Sequence, residues 1–168
     1  MTTIPLPLLD GVPAPSAATF SPHRTYRYAL TRRWGEGPTM VVIGLNPSTA
    51  NETANDPTIR RCIGFATRDG CGGLVMLNLF ALRATNPRVM LAHPEPIGPE
   101  NDATILRHTA GAERVVVAWG AHGGHLERDR HIRALVPGAT CFGVTAAGHP
   151  RHPLYLRADT PLVAWRST

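Results

Sequence analysis

Four short, almost purely apolar runs, Met40–Leu45, Leu74–Leu79, Val115–Trp119 and Thr140–Val144, limit what this chain can fold into. Each is shorter than an ordinary buried helix and lacks the apolar/polar alternation of a half-exposed strand. Such runs fit strands covered on both faces, as in a parallel sheet. The stretches between them read as helices. Asp56-Pro57-Thr58 offers an N-cap and a proline at the first helical position, and opens a helix to about Arg68. A second is expected from near Pro99 to Gly111, and a third from roughly Gly124 to Leu135, ahead of Pro137-Gly138. The alternation predicts an α/β fold, three α/β/α layers around a central four-stranded parallel sheet. Before these, Arg24–Trp34 alternates in part and reads as an N-terminal edge strand, followed by the turn Gly35-Glu36-Gly37-Pro38.

The 168 residues suit one domain with one sizeable core, and no internal repeat divides them. Met1 to Phe20 is rich in proline and small residues and reads as a loosely ordered arm, which leaves residues 21–168 for the domain. Its apolar patch, Ile4–Leu9, is broken by Pro5 and Pro7 and has no basic lead, so a secretory signal is not expected and a cytoplasmic location is. No apolar run approaches the roughly 18 residues of a membrane span. Cys62, Cys71 and Cys141 form no C-x-x-C pair, which argues against a disulfide framework, a zinc ribbon or an iron–sulfur cluster. Buried, inert thiols are expected instead.

All 17 basic residues are arginine, and the formal net charge is +5. Arginine grips phosphate through a planar fork, so the balance favours a nucleic-acid partner. The same composition also follows from a GC-rich coding sequence, so charge alone selects nothing.

In open α/β sheets, ligands bind outside the carboxyl ends of the strands. Four stretches should therefore converge: Gly44 to Thr49, Asn78 to Phe80, Trp119 to His122, and Thr145 to Tyr155. Asn46, followed by Pro47 and Ser48, can hold a water or a ligand amide, or instead cap its own turn. Asn78 ends an apolar run; its carboxamide could pair with a pyrimidine edge or satisfy loop backbone. His149 and His152 lie on a loop stiffened by Pro150 and Pro153, where a histidine can stabilise developing negative charge. His122, His125 and His131 lack metal-site spacing, and Gly70-Cys71-Gly72-Gly73 matches no nucleotide-cradling pattern. No metal and no cofactor are expected.

From Arg27 to Trp165 the chain resembles DUF1643, a family of bacteria and phages. The stretches IGLNPSTANETANDPTIRRCIGFA, NLFALRATNP, GPEND, AWGAHG and HPRHPLYL carry that likeness, which implies no function. A more distant resemblance does. Gly44-Leu45-Asn46-Pro47 is similar to the G-x-[D/N]-P motif of the uracil-DNA glycosylase superfamily, in the asparagine form of its mismatch-specific branch. Val75-Met76-Leu77-Asn78 is similar to the strand whose asparagine reads uracil, and Val117 to His122 to a third motif strand. The loop His149 to Tyr155 is similar to the H-P-x-P-L loop that carries the histidine stabilising the departing base and the wedge entering the duplex. The motifs come in the family's order.

The resemblance implies a uracil-DNA glycosylase-like fold and a glycosidase that excises a deaminated or modified base from DNA. Asn46 and His152, with His149 as the alternative, would be catalytic. Asn78, Pro47, Ser48 and an aromatic ring, Phe65 or Phe80, would bind the base; Arg60, Arg83 and Arg151 would contact phosphates. The protein would act as a monomer. The carboxylate of the family's most active branch is replaced by Asn46. Two rivals follow: an enzyme of the same fold acting on a free nucleoside, nucleotide or sugar-phosphate, and a silent base- or nucleic-acid-binding module.

Overall fold

A computed structural model describes residues 16–166. It contains the strands β1 (Ser16–Phe20), β2 (Arg27–Arg33), β3 (Thr39–Gly44), β4 (Gly73–Asn78), β5 (Arg114–Val117), β6 (Thr140–Cys141) and β7 (Val163–Ala164). The helices are α1 (Pro57–Arg68), α2 (Pro87–Ala92), α3 (Asn101–Thr109) and α4 (Arg128–Leu135). All the strands join one mixed sheet in the order β1-β2-β4-β3-β5-β6-β7. In it, β3 runs parallel to β4 and to β5, and β5 runs parallel to β6. The pairs β1–β2, β2–β4 and β6–β7 are antiparallel.

The fold is thus α/β, with a seven-stranded mixed sheet where four parallel strands are expected from sequence. Two further differences have physical causes. The segment read as an edge strand becomes β2, which is internal: Arg27 to Leu30 are all buried between β1 and β4. Among the described residues the edge is β1, which lies in the segment that reads as the arm; residues 1–15 of that segment lie outside the described residues. The fourth apolar run pairs only at Thr140 and Cys141, because the chain leaves the ladder at Gly143, which has φ +93°. Beyond it a narrow hairpin closes through the bridge Val144–Pro150.

The helices follow their caps. Asp56 accepts the Ile59 N–H at 2.9 Å and starts α1. Asn86 does the same for Arg88 at 2.9 Å, ahead of Pro87, and starts α2, a helix not expected from sequence. Helix α4 begins at Arg128 rather than Gly124, because Leu126 and Glu127 both take φ 55° in tight turns before it.

Side-chain alternation along the central strands fills both faces of the sheet. Val41, Ile43, Leu77 and Val117 pack with Met90 of α2, Ile105 of α3 and Ile132 of α4. Met40, Val42, Leu74, Met76 and Val116 pack with Ile59, Cys62 and Phe65 of α1. Each such side chain contributes roughly 1.5–3 kcal/mol by leaving water. Two-sided burial is why the strand sequences are unbroken apolar runs. Among the described residues no helix is long and apolar enough to cross a membrane.

Candidate functional site

Leaving β3, the chain runs through Leu45 to Ser48 and on to the start of α1. A cavity of about 40 Å³ lies beneath this loop, at the carboxyl ends of β3 and β4. It is lined by Asn46, Pro47, Ser48, Asn78 and His152, together with Arg27, Asp56 and Thr58. That space has room for a few water-sized groups. A cleft of about 460 Å³ shares Asn46, Ser48, Asp56, Thr58 and His152 with the cavity, and adds Trp119 to His122, Leu154 and Tyr155. Residues far apart in sequence thus meet at one end of the sheet.

Asn78 closes β4 and is 2% exposed. Its Nδ2 is buried without a hydrogen-bond partner among the described residues. The backbone beneath it is fixed: Asn101, fully buried in α3, donates from Nδ2 to the carbonyls of Asn78 and Leu79 at 2.9 and 3.0 Å. Arg128 also donates to the Leu79 carbonyl, at 3.1 Å. A buried amide left unpaired costs about 1–3 kcal/mol, a cost that Asn78 bears while lining the cavity.

Asn46 behaves differently. Its Nδ2 donates to the carbonyls of Ala84 at 2.9 Å and Pro47 at 3.1 Å, which ties the β3 loop to the segment after β4. Its Oδ1 takes no hydrogen bond among the described residues and remains available as an acceptor.

His152 precedes a short 3-10 turn, Pro153–Tyr155, and its Nδ1 accepts the Leu154 N–H at 3.2 Å. With Nδ1 engaged as an acceptor, the proton of the neutral ring sits on Nε2. Burial holds its pKa below the ordinary histidine value, against an opposing pull from Asp56. At neutral pH His152 is therefore an uncharged donor. Its loop is docked onto the β5 end by Gly120 N–H, which donates to Pro150 O at 2.8 Å with Gly120 in the left-handed region at φ +81°.

The other expected residues separate. His149 sits in the hairpin, where its N–H donates to Thr145 Oγ1 at 3.2 Å; it lines neither the cavity nor the cleft. Phe65 is buried in α1 with its ring 4.4 Å from that of Phe142, and Phe80 is fully buried against His125. Neither ring lines the cavity, because both are spent on the core; the base-stacking role expected of them is withdrawn. Arg60 and Arg151 are exposed, whereas Arg83 is half-buried and donates to the Arg24 carbonyl at 3.2 Å.

Arg27, Asp56 and Thr58 escaped the sequence reading. Asp56 and Thr58 read as a helix start, which they are, and nothing in that motif says the start borders a cavity. Arg27 belongs to a segment whose partial alternation reads as an edge strand. It is 2% exposed, and burial lowers its pKa to about 10, partly offset by Asp56; it stays cationic at neutral pH.

The model of the family described as Protein of unknown function (DUF1643) matches residues 27–154, most of the chain. The chain belongs to DUF1643. The match starts at Arg27 and ends at Leu154, so it spans every cavity-lining residue. No curated protein and no solved structure matches this DUF1643 chain.

Proposed function

We propose that this DUF1643 protein is a DNA glycosylase-like N-glycosidase that excises a deaminated or modified base from DNA. The observation that carries the reading is Asn78, which lines the same cavity as Asn46 and His152 and whose buried Nδ2 has no partner among the described residues. A carboxamide with an unused donor at a cavity floor suits the edge of a base flipped out of the stack. The cavity takes that polar edge, and the 460 Å³ cleft takes the sugar and its phosphates.

Bond breaking is dissociative, leaving an oxocarbenium-like sugar and an anionic base. His152, neutral with its proton on Nε2, donates to the oxygen on which charge collects; one such donor is worth roughly 3–4 kcal/mol. Asn46, through its free Oδ1, holds the water that captures the sugar. Leu154 and Tyr155 are exposed beside His152, Tyr155 by 79%, and suit a wedge that enters the base stack. Arg60, Arg83 and Arg151 contact phosphates. The parallel run β4-β3-β5-β6, with the motifs at its carboxyl ends, supports a uracil-DNA glycosylase-like arrangement.

The test is base excision. Purified protein is incubated with single- and double-stranded oligonucleotides carrying uracil, hypoxanthine or mismatched thymine, and abasic sites are cleaved with alkali. Strand breaks that disappear in His152→Ala and persist in His149→Ala are expected. Folded protein that breaks no strand, binds no duplex in a salt-dependent way and turns over free nucleosides would replace this reading with a free-nucleotide enzyme of the same fold.

A further inference from the structure

Arg27 stands in the cavity wall with most of its donors unused. A guanidinium has five N–H donors and keeps its charge at neutral pH. Among the described residues, the Arg27 side chain makes one hydrogen bond, from Nη1 to the Ala50 carbonyl at 3.0 Å, and its Nε is buried without a partner. Arg32, five positions along the same strand, shows what a purely structural arginine does here. It bonds to Asn55 Oδ1 and to the carbonyls of Ala17, Thr31, Asn51 and Ala54, which holds the loop before α1.

Asp56 lines the same cavity, yet it makes no ion pair with Arg27 among the described residues. Its Oδ1 accepts the N–H of Ile59 at the α1 start at 2.9 Å, and its Oδ2 that of Ala50 in the preceding loop at 3.4 Å. A buried charge without a partner is costly. Here the cost is borne beside two other unfilled donors, Asn78 Nδ2 and His152 Nε2–H. Three donors and one cavity call for an acceptor-rich, charge-accumulating guest.

We propose that Arg27 contacts the ligand in this cavity and holds the base oxygen on which negative charge collects. The assignment rests on the N-glycosidase reading and adds a cationic contact to it. As the C1′–N bond breaks, its electron pair stays on the base nitrogen and delocalises onto a carbonyl oxygen facing Arg27. Water bonds to C1′ through its oxygen and gives up a proton, and the freed base takes one up, so one water is consumed. Arg27 thereby favours bases that leave as oxygen-bearing anions over those presenting an exocyclic amine.

The experiment measures binding of two free bases of similar bulk by calorimetry on the full chain. One is 5-nitrouracil, an anion at neutral pH, and the other is 5-ethyluracil, which is neutral. The wild type should bind the anion roughly tenfold or more tightly, as a charge-assisted contact requires. Arg27→Gln should bring the ratio close to one, and Arg27→Lys should keep much of it. Equal binding by the wild type, binding of neither base, or an unchanged ratio in a folded Arg27→Gln overturns the proposal. If Arg27→Gln fails to fold, the wild-type ratio and Arg27→Lys decide. Excision assays on the same samples separate the two claims. Excision without anion preference removes Arg27's role alone. Arg27-dependent preference without excision keeps the contact and removes the glycosidase reading.

Discussion

Gly44 and Asn78 are packed so closely that a methyl group on Gly44 would lie 3.1 Å from Asn78 Oδ1 and 2.7 Å from Met76 Cε. The glycine of the G-x-N-P stretch is therefore there for space. In Gly44→Ala the end of Met76 can swing away cheaply, but the Asn78 carboxamide must give by a few tenths of an ångström into the cavity. Overpacking of this kind costs about 1–3 kcal/mol of stability. Base affinity should fall about tenfold beside that modest thermal shift, since a misplaced carboxamide loses pairing worth about 1–1.5 kcal/mol. Thermal denaturation and calorimetry with the excised base check both; unchanged affinity would show that Asn78 does not read the ligand.

Arg32 tests the loop rather than the ligand. Of its five hydrogen bonds, three tether β2 to Asn51, Ala54 and Asn55, just ahead of the α1 cap, and the others go to the carbonyls of Ala17 and Thr31. Arg32→Ala removes them and leaves carbonyls to find water, at a cost of about 2–4 kcal/mol, since bonds to charged groups are the stronger kind. For a domain of this size that lowers Tm by roughly 5–15 °C. Arg27→Gln should cost distinctly less, because Arg27 makes one such bond. Equal losses in the two variants would count against the division of labour between these arginines.

How much of this could be read from the chain depends on which physical constraint each residue obeys. The apolar runs of β3, β4 and β5 were legible because burial on both faces leaves no room for polar residues. The ends of those runs stand out as a candidate site for a related reason: Asn46 and Asn78 are polar where the pattern asks for apolar. His152 and His149 were not separable, since both stand before proline, and only the hairpin's fold puts one in the cleft and one outside it. Phe65 and Phe80 misled because an aromatic near a motif is more often core than contact. Arg27 was invisible because β2 was read as an edge, and the strand that covers it, β1, is a short run of small residues with one ring, Ser16–Phe20. A neighbour's identity is not written in a strand's own pattern.

His152 gives a pH dependence whose sign can be worked out. Burial lowers its pKa from the ordinary 6.5, and Asp56 only partly restores it. The unfolded chain thus takes up the proton first as pH falls. This group's contribution to stability is intact above about 6.5 and declines as pH drops from there through the lower folded value. Excision should follow the same side, because the neutral Nε2–H form is the donor. The acid limb of the rate profile is expected below pH 6.5 and should vanish in His152→Gln, whose residual rate stays flat there. An acid-activated profile, rising as His152 protonates, would mean that imidazolium does the work.

Cys62 and Cys71 report on how tightly α1 closes over the sheet, and Cys141 on the packing of the opposite face. Cys62, Cys71 and Cys141 are all buried and free. Burial, with Asp56 adding to it, pushes the Cys62 thiol up to about 12, and burial raises the other two as well. Only the thiolate attacks a disulfide reagent, so at mildly alkaline pH both access and ionisation are denied. The native protein should react with an aromatic disulfide reagent at none of its 3 cysteines over minutes in which guanidinium-unfolded protein reacts at all of them. Slow labelling that does appear should track opening of the fold. Because Cys62 packs beside Ile59 and Phe65 on the buried side of α1, a bound base that clamps the α1 start should slow its labelling further. Cys62 or Cys71 reacting at the free-cysteine rate in native protein would show that α1 does not seal that face.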